Sequence, residues 1–202
     1  MDILYDSVRN DLQNNDAPAA VSKIKELLED QKNIPLNIAI TGETGSGKST
    51  FINSFRGLRD GDEGAAPTGV VETTSEVTPY PLPNYPNVTL SDLTGMGTTK
   101  FPADEYLKLV GFEKFDFFII ISADRFKEND VKLAQEIQRM KKKFYFVRSK
   151  IDNDIHANER MKNYSKEKTL TQIRENCVQG QFLFYHLYRS ECRCFITFLL
   201  FE

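Results

Sequence analysis

After Asp16-Ala17-Pro18, the apolar residues Val21, Ile24, Leu27 and Leu28 recur at helical spacing. This predicts a capped amphipathic helix over residues 17–30 with one buried stripe, ending before Pro35. Leu36 to Thr41 is a short apolar run leading straight into Gly42, and Lys48 to about Arg56 alternates polar and apolar as a helix does. That order is strand, glycine loop, helix. From about Arg59 to Pro86 the chain is rich in Gly, Pro and Thr, a long connection with a short strand around Val77. Val88 to Asp92 reads as a second strand with Asp92 at its carboxyl end. Phe115 to Ile121 is an unbroken apolar run of the kind buried on both faces. Asn129 or Asp130 caps a helix through Met140, and Lys143 to Ser149 is a further strand. Strands that alternate with helices predict an α/β domain with a largely parallel sheet and ligands at the strands' carboxyl ends.

Composition narrows this picture only in part. Of 202 residues, 40% are hydrophobic and 27% charged, which suits one globular domain. A formal net charge of -3 gives no electrostatic footprint for a nucleic acid, so an anionic ligand must be held locally. Asp2 stands where an N-myristoylation signal requires glycine, and no secretory start is expected. Cys177, Cys192 and Cys194 are odd in number and late, which fits reduced thiols in a cytoplasmic protein better than a disulfide scaffold. Cys192 and Cys194 lack a second ligand pair, so they read as free thiols rather than a metal site.

The chemistry is concentrated in short motifs. Gly42-Glu43-Thr44-Gly45-Ser46-Gly47-Lys48-Ser49 has the full P-loop spacing and lies between a strand and a helix. Its glycines let main-chain N–H groups turn toward phosphate oxygens, Lys48 adds a positive charge, and Ser49 offers a hydroxyl to Mg2+. Asp92-Leu93-Thr94-Gly95 follows a strand, where the carboxylate reaches the metal through water and the Gly95 N–H faces the γ phosphate. Thr68, after Pro67 in the long connection, supplies a further hydroxyl to the metal, with Thr73 and Thr74 as competitors. Ser149-Lys150-Ile151-Asp152 ends a late strand: the lysine stem covers a base face, and Asp152 accepts two hydrogen bonds from guanine. Adenine lacks that donor pair, so an ATP-dependent reading is disfavoured.

In these residues the chain resembles the immunity-related (interferon-inducible) GTPases. The likeness rests on GETGSGKSTFINSFRG (Gly42 to Gly57), GAAPTGVVETT (Gly64 to Thr74), FDFFIIISADRFKEND (Phe115 to Asp130) and FYFVRSKIDND (Phe144 to Asp154). It covers about residues 15 to 179. The resemblance implies a P-loop G domain over 34–179, preceded by a helical segment over 1–33, in a GTPase of cell-autonomous defence that assembles on intracellular membranes. It places Glu43, Thr44, Gly45, Ser46, Gly47, Lys48, Ser49 and Thr50 on the nucleotide, and Ser149, Lys150 and Asp152 around guanine. Lys48, Thr68, Glu72 and Gly95 serve catalysis, and Ser49, Thr68 and Asp92 the magnesium.

Three departures stand out: Ser149 replaces a usual Thr or Asn, Thr94 replaces a usual Pro, and the pattern stops after about Gln179. Residues 180–202 form an atypical tail whose apolar runs, Phe182 to Tyr188 and Phe195 to Phe201, are too short to span a bilayer as helices. They read as an alternative ending, or as an anchor or docking strand. Met96 occupies the position where many small GTPases orient water with glutamine, so slow intrinsic hydrolysis is expected. Glu43 and Glu72 are the candidate polar groups for activating water or meeting a neighbour's ribose. Two functions follow: a regulated GTPase that self-associates or joins related GTPases, or a weak nucleotide binder that regulates longer relatives by association.

Overall fold

The structure is a computed structural model that describes residues 7, 10, 11, 13, 14, 16–69, 77–93, 106–108, 110–124 and 127–188. The chain divides between Pro35 and Leu36 into two compact units. In the first, helix α1 (Ala17–Lys32) starts where the sequence places it, with the Ala19 N–H donating to Asp16 Oδ1 at 3.1 Å. Lys23 reaches Asp11 at 2.6 Å and the Ser7 hydroxyl at 2.8 Å, tying the helix to the residues before it. Of the expected stripe, Val21 is 49% and Ile24 41% exposed. Helical spacing identifies a face but not whether anything covers it.

Among the described residues the second unit has five strands: β1 (Leu36–Thr41), β2 (Thr78–Leu82), β3 (Tyr85–Asp92), β4 (Phe117–Ser122) and β5 (Lys143–Arg148). Their order is β2-β3-β1-β4-β5, parallel throughout except for the antiparallel β2/β3 pair. β2 is the strand expected around Val77. Pro79 and Pro81 lie within it, which an outer strand tolerates because its second edge needs no ladder donors.

Among the described residues of this unit the longer helices are α2 (Lys48–Phe55), α3 (Glu128–Arg139), α4 (Ile151–Glu159) and α5 (Lys166–Tyr188). Successive strand residues feed opposite faces of the sheet. Ala39, Phe118, Ile120, Phe144 and Phe146 pack with Leu133, Ala134 and Ile137 of α3, whereas Ile40, Ile119, Ile121 and Val147 pack with Phe51 and Ile52 of α2. Both faces are thus covered, as a parallel sheet requires.

Several boundaries move, among them that of β3, which begins at Tyr85 rather than Val88. β4 begins at Phe117, because Phe115 follows a single 3-10 turn, Phe112–Lys114, and packs into the core from outside the strand. Helix α3 is capped at Lys127, so Asn129 and Asp130 fall inside its first turn. The run Phe182 to Tyr188 is helical, and α5 passes through residue 180 without a break, so neither the expected boundary there nor a strand at that run is seen. Among the described residues no helix is long and apolar enough to cross a membrane. Cys192, Cys194 and the run Phe195 to Phe201 lie outside them.

Candidate functional site

Because β1, β3, β4 and β5 are parallel, their carboxyl ends share one edge of the sheet, and the predicted motifs meet there. Thr41 ends β1 and the chain turns at Gly42, whose φ of +144° is closed to most side chains. A Cβ on Gly42 would stand 2.0 Å from the Ile121 carbonyl oxygen, so the loop passes against β4 with no room for one. Lys48, only 7% exposed, reaches back along this loop to the carbonyl oxygens of Glu43 (3.2 Å) and Gly42 (3.4 Å). Buried ammonium groups need such partners or an anion. The Ser46 hydroxyl oxygen is buried without a hydrogen-bond partner, a polar group within the loop still available to a ligand. Thr44 and Gly45 are exposed, and Thr50 on α2 approaches Asp60 at 3.5 Å.

Asp92, fully buried at the end of β3, lies beside Ile40 of β1. Its Oδ2 accepts a hydrogen bond from the Ser49 hydroxyl at 2.7 Å. Its charge extends to Tyr80 on β2, whose phenol is pushed up first by burial and then by Asp92, with Arg56 pulling the other way.

A third strand end, that of β5, carries the Ser149-Lys150-Ile151-Asp152 motif. The Ser149 N–H donates to Ser122 O at 2.9 Å, and its hydroxyl donates to Ser46 O at 2.6 Å and Ser122 O at 3.2 Å. Lys150 then takes a left-handed conformation (φ 53°) as the cap of α4, while Ile151 is buried, leaving Lys150 and Asp152 exposed on either side of it. Arg148 braces the turn from below, donating to Ser149 O at 2.9 Å and pairing with Asp154.

Sequence reasoning missed several supports. Lys127 bridges Glu43 of the P-loop (2.9 Å) and Asp124 (2.7 Å), so Glu43 is paired within the chain. These hydrogen bonds, to Asp124 first and then to Glu43, raise the Lys127 ammonium well above its ordinary value. The groups are substantially exposed, and the network orients the loop more than it stabilises the fold. The Asp130 carboxyl accepts from the Lys127 N–H at 3.0 Å and is raised above its ordinary value, chiefly by burial. Buried Asn53, on α2, and the Arg148–Asp154 pair were equally invisible, since isolated polar residues in a helix or at a strand end carry no spacing signal.

Thr68 is exposed at the end of the described part of its loop. Glu72, Thr73, Thr74, Thr94, Gly95 and Met96 lie outside the described residues. Among the described residues no group of three or more His, Cys, Asp or Glu forms a metal cage. One carboxylate with one hydroxyl instead fits Mg2+, which takes few protein oxygens and completes its shell with water and phosphate.

Comparison with known proteins points the same way. Residues 3–186 match the family model described as Interferon-inducible GTPase (IIGP), a span that continues past Gln179. The chain is 48% identical over 177 residues to Interferon-gamma-inducible GTPase 10 of Mus musculus, covering 87% of this chain and 42% of that protein. It is 54% identical over 159 residues to Interferon-inducible GTPase 1 of Mus musculus, covering 78% of this chain and 38% of the relative. The chain therefore spans about two fifths of the length of these relatives. Among solved structures, Toc33 from Arabidopsis thaliana in complex with Mg2+ and GMPPNP superposes with a TM-score of 0.50 at 13% identity. That match covers 85% of this chain and 74% of Toc33, a likeness of fold.

Proposed function

The chain belongs to the interferon-inducible GTPase family, and from that premise we propose that it binds GTP and GDP with magnesium and hydrolyses GTP to GDP and inorganic phosphate. The observation that carries this reading is the 2.7 Å contact between the Ser49 hydroxyl and the Asp92 carboxylate, beside buried Lys48. A hydroxyl and a carboxylate at the ends of neighbouring elements, next to an inward lysine, suit a metal-bound polyphosphate better than any neutral ligand.

In the proposed reaction a water oxygen forms the new bond to the γ phosphorus. The bond to the β–γ bridging oxygen breaks, its electron pair leaves on the β phosphate of GDP, and the water's protons pass to phosphate oxygens and solvent. Lys48 and the N–H groups of residues 43–49 neutralise charge on the phosphates, and Ser46 offers its buried hydroxyl to them. Ser49, Asp92 and, in the triphosphate state, Thr68 hold the magnesium, which when bound supplies countercharge. Gly95 meets the γ phosphate through its N–H, and Glu72 serves the water or a neighbouring molecule. Lys150 covers guanine and Asp152 accepts from its N1 and N2 donors. Both are exposed and thus open to a base.

Self-association that completes the site, peripheral contact with intracellular membranes and a part in innate immunity extend the same proposal from the family resemblance. Calorimetry of the purified chain with GTP, GDP and ATP in magnesium tests the binding. Guanine nucleotides bind, ATP does not, and Lys48→Ala loses GTP; unchanged GTP affinity in a folded Lys48→Ala protein would falsify the assignment. Hydrolysis per molecule rises with protein concentration, and Glu72→Ala suppresses that rise. Concentration-independent turnover rules out the shared site.

A further inference from the structure

Asn53 is 1% exposed on α2, one turn beyond the residues that face the phosphates and metal. Its side chain closes a two-point contact with one residue of the loop after the helix. Nδ2 donates to Ala66 O at 2.9 Å, and Oδ1 accepts from the Ala66 N–H at 2.6 Å. Nδ2 also donates to Asp60 Oδ1 at 2.9 Å. A carboxamide has the donor and acceptor of a peptide group, so Asn53 holds Ala66 much as a neighbouring strand would, without reading its side chain. Ala66 is itself 1% exposed and packs in the cluster with Phe51 and Ile52. A second hold lies nearby, at the C-terminal cap of the same helix. Arg56 donates to Gly64 O at 2.7 Å and Pro81 O at 3.3 Å, with its guanidinium carbon 5.3 Å from the Tyr80 ring centre.

The position of Ala66 matters because Thr68 lies only two residues beyond it, across Pro67 with its fixed φ. Two peptide units allow the Thr68 Cα to lie at most roughly 7 Å from that of Ala66. The helix that starts at Lys48 and Ser49 therefore also sets the origin from which Thr68 reaches toward the metal.

We propose that Asn53 is a positioning residue for the triphosphate state: by fixing Ala66 to α2 it restricts Thr68 to the neighbourhood of Ser49. The proposal rests on the reading of Thr68 as a hydroxyl ligand to magnesium when the γ phosphate is present. A loop held at its base has less freedom to lose when Thr68 engages, so the clamp favours GTP selectively. GDP, which lacks the γ phosphate, is indifferent to it.

The test measures the affinities of the full chain for a nonhydrolysable GTP analogue and for GDP, both with magnesium, in Asn53→Ala, Pro67→Gly, Thr68→Ala and the Asn53→Ala/Thr68→Ala double variant. Asn53→Ala lowers analogue affinity about tenfold, in line with the loss of one buried polar contact, and GDP affinity less than about twofold. Pro67→Gly, which leaves the buried amide intact and loosens the chain after it, moves in the same selective direction. The double variant is no weaker than Thr68→Ala alone, because both substitutions remove the same engagement. Equal losses for the analogue and GDP, or fully additive losses in the double variant, overturn the proposal and leave Asn53 a packing residue. If Asn53→Ala does not fold, a nonselective Pro67→Gly overturns it instead. Should Thr68→Ala leave analogue affinity unchanged while Asn53→Ala remains selective, the magnesium reading of Thr68 fails and the clamp acts through another loop residue. Should Thr68→Ala be selective and Asn53→Ala neutral, the clamp fails alone.

Discussion

The Ser149 hydroxyl stands 2.6 Å from the carbonyl oxygen of Ser46, so the P-loop and the loop carrying Lys150 and Asp152 are joined by a hydrogen bond. On the proposed reading, a change at the guanine loop is therefore felt at the phosphates. Ser149→Ala removes this bond and the longer one to Ser122, leaving the Ser46 carbonyl without it. GDP and GTP affinities fall together, by about three- to tenfold, as expected for one buried hydrogen bond. Calorimetry checks this, and a loss confined to one nucleotide contradicts the link.

Gly42→Ala forces a methyl group onto the Ile121 carbonyl at a backbone angle that alanine rarely adopts. The loop and β4 must separate, at a cost of roughly 3 kcal/mol. Urea denaturation reads the loss directly, and nucleotide affinity falls with it. Gly45→Ala is the control, because a Cβ there meets nothing within 4 Å and bears only the backbone strain.

Asp152→Asn replaces an acceptor with a group that also donates, opposite guanine's own donors. Guanine nucleotides weaken by about a hundredfold, and xanthine nucleotides gain relative to them. Competition binding with both bases decides the matter. Asp152 is exposed, so the fold itself is unaffected.

Acid behaviour distinguishes Asp130 from the surface carboxylates. Burial raises its folded value above the ordinary 3.8. Between 3.8 and that raised value the folded state holds more protons than the unfolded chain. Stability from this group therefore grows as pH falls through that window and is lost as pH rises through it. Asp124 and Glu128 are lowered by lysine partners and act in the opposite sense at lower pH. Urea midpoints compared between the native chain and Asp130→Asn isolate the buried group: the native protein gains on the variant as pH falls toward the ordinary carboxylate range. A constant gap across pH contradicts the assignment.

The parts of this molecule that could be read from sequence are those whose physics is local. Gly42 to Ser49 names itself because phosphate binding constrains adjacent residues, and the run ending in Ile121 announces a strand buried on both faces. Supports that act across the chain leave no such trace. Asn53 looks like any polar residue in a short helix until Ala66 is folded against it. Lys127 caps α3 ahead of two better capping residues, because the buried Asp130 carboxyl takes its N–H from inside the first turn. Val21 and Ile24 keep the helical period yet remain exposed, because periodicity carries no information about a covering partner.

The central place of β1 also governs how the chain assembles during synthesis. Leu36 pairs with Val88 and Ile38 with Phe117, so the first strand of the sheet has no partner among the residues made soon after it. A nascent chain emerging from the ribosome must keep β1, with its apolar Ile38, Ala39 and Ile40, waiting until β3 appears, and can bury its other edge only after β4. Pairing at such sequence distance is slow, and it leaves an unpaired apolar strand in the growing chain. The same strand that anchors the phosphate loop in the finished fold is thus the one longest at risk of aggregation on the way there.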